Sequence, residues 1–334
     1  DLFGYEVVGG HAGNRAVGAA WLAERGICVG ESEILLTNGG NDGLLAAMFA
    51  TCRPGEAIAC EAVNYTGIRR LAQAVGIHLV PLEMDDRGLR PDALERACRE
   101  REIRAVLCTP VTHNPTTATM DATRRADICA LVRRHDLRLI EDDIYGHLAG
   151  ALGDTFYGAL PEHTLHVTSL SKCVSAGLRA GFLAVPRDMV GQVRDALYTT
   201  NWTAPSLHAA IAARLIQSGD ARTLVALQRA EAQARMALAR RILGDAVAPR
   251  TAPASYHIWL PLTPAVRADE VAAELQRAGI LVSPAHHFAI AGAAVPNAIR
   301  LSLGTLADRA VLEQALREAA RHLEGTQMAV GAIA

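Results

Sequence analysis

Lysine is all but missing from this chain. Of its 33 basic residues a single one, Lys172, is a lysine and the other 32 are arginines. Basic and acidic residues nearly cancel, giving a formal net charge of −2. A basic stripe of the kind that holds nucleic acid is therefore not implied, and no nucleic-acid contact is expected of this chain itself. No apolar run approaches the ~18 residues of a membrane span, and no basic-then-apolar leader precedes the first helical stretch. The C-x-x-C pair of a zinc or redox site is also missing. Seven scattered cysteines (Cys28, Cys52, Cys60, Cys98, Cys108, Cys129 and Cys173) are odd in number. They fit reduced thiols of a cytoplasmic protein, most of them small core residues, better than a disulfide framework. The chain begins at Asp1 without a methionine, and further sequence upstream is expected.

A coding bias towards arginine explains the 32, and the same bias should have removed a lysine whose only task was to be positive. Lysine can lose its proton and attack a carbonyl; arginine cannot. Lys172 is either a chance survivor on a solvated face or a residue kept for its amine, and its surroundings favour the second.

Half of the residues are hydrophobic and a fifth are charged, ordinary for a large soluble core, and 334 residues suggest about two domains. Strand-like runs at Ile34–Thr37, Ala57–Cys60, Ile77–Leu82, Ala105–Thr109, Leu137–Asp142, Leu165–Ser169 and Gly181–Val185 alternate with helical stretches. Continuous apolar strands in such alternation predict an α/β fold with a mainly parallel sheet covered on both faces. Beyond Pro186 come helices, with a long Ala- and Arg-rich run at Ala221–Leu243. Strands near Tyr256–Leu260, Ile280–Ser283 and Ile299–Leu303 then suggest a smaller α/β domain. The expected division is a large domain over 1–225, then a bridging helix and small domain over 226–334.

The segment richest in chemistry is Ser169-Leu170-Ser171-Lys172, followed by Gly177-Leu178-Arg179-Ala180-Gly181. It falls in the turn between two apolar strands, where open α/β sheets place ligands. Two hydroxyls and an arginine around an amine suit a phosphate held beside that amine. This S-x-S-K…G-L-R-x-G pattern resembles the lysine segment of the fold-type-I pyridoxal-phosphate enzymes, in particular the class I/II aminotransferases. The resemblance implies pyridoxal 5′-phosphate as cofactor, joined to Lys172 as a Schiff base, with Lys172 then carrying the substrate α-proton.

Other parts of that pattern occur in order. Asp142-Asp143-Ile144-Tyr145 is similar to the family's D-x-x-Y, which implies that Asp142 pairs with the pyridine nitrogen and Tyr145 with the phenolic oxygen. Asn114-Pro115-Thr116-Thr117 resembles N-P-T-G, with Asn114 on the same oxygen and near the substrate, and Thr117 in place of glycine. Asn38-Gly39-Gly40-Asn41 resembles the phosphate-binding turn, Gly40 and Asn41 donating main-chain N–H groups and Ser169, Ser171 and Arg179 completing the cup. Tyr65 stands where the family places an aromatic over the ring. Arg300, in Ile299-Arg300-Leu301-Ser302, resembles the arginine that grips the substrate carboxylate. Tyr5 resembles the tyrosine that reaches the phosphate of the neighbouring subunit, which implies a homodimer. The pair His286–His287 has no evident third ligand for a metal, and the expected role is at the substrate mouth; Trp202 and Trp259 are expected to pack.

A narrower resemblance competes with the enzyme. Asn114-Pro115-Thr116-Thr117-Ala118-Thr119-Met120, Ser169–Cys173 and Trp21–Gly26 are similar to the aminotransferase-like domain of MocR-type regulators of the GntR superfamily. That implies a domain that senses an amino acid or amine, preceded in the full-length protein by a winged helix-turn-helix that contacts DNA. The alternatives are a free-standing class I/II aminotransferase, or another carbanion reaction on the same scaffold.

Overall fold

Apolar runs without a polar face demand cover on both sides, and the architecture supplies it. The computed structural model describes residues 4–150, 155–247 and 251–331. Its strands are β1 (Ile34–Thr37), β2 (Ala57–Glu61), β3 (His78–Leu82), the two-residue pair β4 (Met84–Asp85) and β5 (Gly88–Leu89), β6 (Ala105–Cys108), β7 (Arg138–Asp142), β8 (Thr164–Ser169), β9 (Gly181–Ala184), β10 (His257–Pro261), β11 (Ser283–Pro284) and β12 (Ala298–Ser302). Its α-helices are α1 (Ala12–Ala23), α2 (Gly40–Thr51), α3 (Thr66–Ala74), α4 (Pro91–Glu100), α5 (Ala122–Arg134), α6 (Gly146–Ala149), α7 (Phe156–Ala159), α8 (Val190–Asn201), α9 (Ser206–Ser218), α10 (Asp220–Leu243), α11 (Ala268–Arg277) and α12 (Arg309–Gly331).

Seven strands form one sheet in the order β1-β9-β8-β7-β6-β2-β3. Strand β9 runs antiparallel to both neighbours, and every other pairing is parallel. Successive side chains serve opposite faces. Ile58, Leu107 and Ile140 join a core beneath α2, α3 and α8, while Ala59, Val106 and Leu139 join another beneath α4, α5 and α7. Both sets are apolar, which is why the sequence shows unbroken runs rather than alternation. The chain thus has the α/β architecture of fold-type-I proteins, a large mostly parallel sheet accompanied by a smaller one.

That smaller sheet, β10-β12-β11, is antiparallel. It is covered by α11, α12 and the end of α10 through Met236, Leu243, Ile258, Val271, Leu275, Ile299 and Leu316. Helix α10 is 24 residues long, ~36 Å at 1.5 Å per residue. Its Ala221 and Val225 pack with the large sheet's surroundings and its Met236 and Leu243 with the small sheet, so one helix bridges two cores.

Several strand starts fall later than the apolar patterns suggest. Ile77 and Ile280, for example, close the preceding helices instead: Ile77 N–H donates to Ala72 O at 2.9 Å and Ile280 N–H to Leu275 O at 2.8 Å. Each follows a glycine with positive φ, Gly76 (70°) and Gly279 (81°). These are helix-terminating turns that satisfy orphan carbonyls and bury the next apolar residue.

Candidate cofactor and ligand site

Strands β2, β6, β7 and β8 all end at one edge of the large sheet, and in an open α/β sheet that edge is where ligands sit. Their ends lead into Tyr65, Thr109, Asp142 and Ser169, while β1 delivers the turn into α2. There Gly40, Asn41, Tyr65, Asn114, Asp142, Tyr145, Ser169, Ser171, Lys172 and Arg179 line a cavity of about 170 Å³. A larger space of about 870 Å³ adjoins it, sharing Lys172, Asn114 and Tyr145 and adding Arg300, His257, His287 and Phe288. Of the residues assigned to the cofactor or ligand in the sequence, Tyr5 stands elsewhere.

One end of the small cavity is built for an anion. The turn before α2 presents the backbone N–H groups of a helix start. A Cβ on Gly40 would fall 2.5 Å from Ile144 Cδ1, so no larger residue fits that approach. Arg179 lies over Gly39 and donates to Asn38 O at 3.0 Å. Ser171 Oγ is buried without a partner.

The opposite end is built for a cation. The Asp142 carboxyl accepts one hydrogen bond, from Ile144 N–H at 3.3 Å, and no ion pair reaches it among the described residues. Burial, reinforced by the neighbouring acids Asp143 and Glu141, pushes its pKa up to about 7. A carboxyl in that state lacks a positive partner. The consequence for stability follows by linkage. The folded chain holds this proton more tightly than an unfolded aspartate does, so the stabilisation is complete below the ordinary value of 3.8 and is lost as pH rises to about 7. Cofactor-free Asp142→Asn protein is expected to show a flatter stability profile across that window, and a higher Tm than wild type at about pH 8. Thermal denaturation at several pH values checks this; parallel profiles would contradict it.

Between these ends, Tyr145 is half-buried and its phenol is held protonated, desolvation pushing its pKa up to about 12. Asn41 Nδ2 donates to Tyr65 Oη at 3.4 Å. Tyr65 folds back over the first turn of α3, where a Cβ at Gly67 would fall 2.2 Å from its ring. In the larger space Arg300 stands on β12 with its guanidinium 4.8 Å from the Phe288 ring centroid. It donates to Asn114 Oδ1 at 2.9 Å, its buried Nε is unsatisfied, and among the described residues no acid pairs with it. An arginine so placed could bind a carboxylate.

Sequence reasoning missed several residues. His257 lines the larger space and its Nε2 lies 3.3 Å from His113 O, tying β10 to the Asn114 loop. Glu61 is fully buried, accepts from Thr109 N–H at 2.8 Å and Asn64 Nδ2 at 2.7 Å, and is pushed by burial to about 8. The available signal was an acid or histidine inside an apolar strand. Thr117, where glycine was the reference, has φ 61°. The loop therefore keeps the left-handed turn that explains glycine there and imposes it on a β-branched residue, a strained state. Trp259 packs as expected against Val63 and Phe288. Trp202 does not: it is 53% exposed, with Tyr198 and Tyr5 rings 5.2 and 5.9 Å away. It follows the end of α8 at φ 63° and is turned outward. His286 contacts Asp269 at 3.3 Å, and among the described residues no group of side chains could hold a metal. No described helix is long and apolar enough to cross a membrane.

Comparison with known proteins agrees with this geometry. The aminotransferase class I and II family profile matches residues 9–318. The uncharacterized HTH-type transcriptional regulator YdeF of Bacillus subtilis is 29% identical over 283 residues, covering 85% of this chain and 61% of that protein. The vitamin B6 salvage pathway transcriptional repressor PtsJ of Salmonella typhimurium is 27% identical over 294 residues, 87% of this chain and 66% of that one. This chain thus spans about 60% of the length of the first such relatives. Among solved structures, the kynurenine aminotransferase of Pyrococcus horikoshii superposes with a TM-score of 0.88 at 19% identity, over 97% of this chain and 83% of that one. The lining fits pyridoxal phosphate chemically: a buried carboxyl at Asp142 could face a ring nitrogen, Arg179 and the unsatisfied Ser171 hydroxyl a phosphate, and the Lys172 amine an aldehyde. The chain belongs to the class I and II aminotransferase family, and its cofactor is pyridoxal 5′-phosphate.

Proposed function

We propose that this chain is the effector-sensing part of a MocR/GntR-type transcriptional regulator. In this reading it holds pyridoxal phosphate through a Schiff base to Lys172 and detects an amino acid or amine in the adjoining space. The observation that carries ligand detection is an amine and an unpaired guanidinium on one space. Lys172 and Arg300 both face it, and neither has an acidic partner among the described residues. An amine beside a guanidinium reads a molecule with an amino group near a carboxylate. The regulatory reading rests on relatives named as HTH-type transcriptional regulators and on one named as a vitamin B6 salvage pathway transcriptional repressor. DNA contact is then the task of a winged-helix segment outside this chain.

Asp142 would hold the ring nitrogen, Tyr145 and Asn114 the phenolic oxygen, and Tyr65 one ring face. Ser169, Ser171, Arg179 and the main chain of Gly40 and Asn41 would hold the phosphate. Bound there, the cofactor supplies an electron sink for a carbanion. Lys172 Nζ would take and return the proton at the ligand's α-carbon, and Arg300 would fix the carboxylate. We divide the chain into a cofactor-binding domain over 1–225 and a bridging helix with small domain over 226–334, a division supported by the two cores that α10 joins.

A homodimer is part of this proposal. Tyr5 is 86% exposed and forms, with Tyr198, Trp202, Val7, Leu207 and Ile211, a set of exposed apolar side chains of the kind that marks an interface. Tyr5 would reach the partner subunit's phosphate. Seven free cysteines support a cytoplasmic location.

The second reading, a free-standing aminotransferase, is favoured by the full set of residues converging on one cavity. One experiment separates the two: visible spectra of the holoprotein with a panel of amino acids, then an assay for 2-oxo acid. A spectral change without 2-oxo acid supports the sensor, and catalytic release of 2-oxo acid supports the enzyme. For the phosphate cup, Arg179→Ala is expected to weaken cofactor retention about 10–100-fold, the size of a lost charged hydrogen bond; unchanged retention in equilibrium dialysis removes Arg179 from the cup.

A further inference from the structure

Behind Asp142 lies a buried charge cluster that no step above uses. Strand β7 runs out through three consecutive buried acids, Glu141, Asp142 and Asp143. Asp143 extends the ladder through its N–H to Val167 O at 2.9 Å. Alternation along the strand sends Asp142 to the cavity and its two neighbours to the opposite face. There both acids have partners. Glu141 accepts from Phe156 and Tyr157 N–H at 2.8 and 3.1 Å and lies 2.8 Å from His166 Nδ1. Its pKa is lowered overall: burial alone would raise it, but His166 and these hydrogen bonds outweigh burial.

Asp143 is gripped from far away in sequence. Arg25, just beyond α1, donates through Nε to Oδ2 at 3.1 Å and through a terminal nitrogen to Oδ1 at 3.3 Å. Its other terminal nitrogen donates to Gly150 O at 3.0 Å. The fork is two-pronged and almost wholly buried, with side-chain exposures of 6% and 0%. Room for it is made by Gly146, where a Cβ would fall 2.1 Å from Asp143 Oδ2. The other groups facing this carboxylate are few. His166 Nε2 lies 3.8 Å from Oδ2, and His147, stacked on Trp21 at 4.2 Å, and the Cys173 thiol both feel its charge. Arg229 is engaged by the carbonyls of His147 and Leu148. Of the three acids, Asp142 alone has neither an arginine nor a histidine nitrogen paired with it among the described residues.

We propose that Arg25 is a positioning residue for the cofactor. By fixing and neutralising Asp143 from behind the strand, it reserves Asp142 for the ring nitrogen and sets the charge that the ring experiences. This rests on the reading above, in which the ring nitrogen lies at Asp142. A buried ion pair is a costly device for stability alone, since apolar packing serves as well; an electrostatic task explains why one sits here.

The test uses holoprotein and the pH midpoint of the visible cofactor band in wild type, Arg25→Met, Asp143→Asn and the double variant. Asp143→Asn leaves the guanidinium uncompensated and should lower the midpoint by about one pH unit, the effect of a unit charge ~12 Å away at an effective dielectric of ~20. Arg25→Met leaves the carboxylate uncompensated and should raise it. The double variant restores the local charge and should return to the wild-type midpoint. If Arg25→Met fails to fold, Asp143→Asn against the double variant decides. A purely structural role would lower Tm and leave every midpoint in place, which overturns the proposal. So does a double variant whose midpoint stays with that of Asp143→Asn. A wild-type holoprotein with no visible band overturns the cofactor reading itself, an outcome distinct from a normal band with unmoved midpoints.

Discussion

Lys172→Ala protein is expected to bind pyridoxal phosphate only reversibly, with the visible band of the wild-type holoprotein gone. Borohydride reduction, which fixes a Schiff base, should then leave no cofactor-modified peptide. The argument is chemical before it is structural. A Schiff base needs an uncharged primary amine, arginine cannot supply one, and Lys172 is the only lysine in the chain. The structure adds that the amine faces both the smaller cavity and the larger space, with no acid paired to it among the described residues. Where the wild type turns over at all, the variant should lose about 10²–10⁴-fold, the usual share of a positioned proton-transfer group. The fold should survive, because the Lys172 side chain is exposed at the cavity wall. Mass spectrometry of the reduced, digested wild-type protein should place the modification on Lys172; a modified peptide in the alanine variant would sink the assignment.

Arg300→Ala should weaken amino-acid binding selectively. A truncated partner in a desolvated charge pair costs about 2–5 kcal/mol, or about 30- to 4,000-fold at ~1.4 kcal/mol per decade. Amines of the same shape without a carboxylate should bind both proteins alike. The free protein should lose little stability and may be compared by Tm, since Arg300 has a buried, unsatisfied Nε and no acidic partner among the described residues. Titrating the cofactor spectrum with matched amino acids and amines measures both affinities. Equal losses for both ligand types would show that Arg300 shapes the space without reading the carboxylate.

Much of this site was legible because its residues sit at element ends, and those ends are marked in sequence. Asp142 closes an apolar run, Ser169 closes another, and Gly39-Gly40 lies between a strand and a helix. Such punctuation depends on local chemistry, so a reader of the chain can find it. The long bridging helix was legible for the same reason, closed by Gly244. What stayed hidden had no local mark. His257 becomes a neighbour of the Asn114 loop only when the small sheet docks, 144 positions along the chain. Arg25 meets Asp143 across 118 positions, and nothing near either residue announces the other. Trp202 read as a packing residue because composition favours burying tryptophan, whereas the positive φ after α8 turns it outward beside Tyr5 and Tyr198.

The sequence by itself determined the chemistry: one amine among 32 guanidiniums, a strand-end acid, and hydroxyls and glycines at a turn that suits phosphate. It also determined the layers, since apolar runs without a polar face can only be buried on both sides. Tertiary structure decided the electrostatics. Three consecutive acids look equivalent in the chain, yet two are matched by His166 and Arg25 and the third is left raised and waiting. The ionisation of a buried group depends on what lies within a few ångströms in space, whatever its distance along the chain.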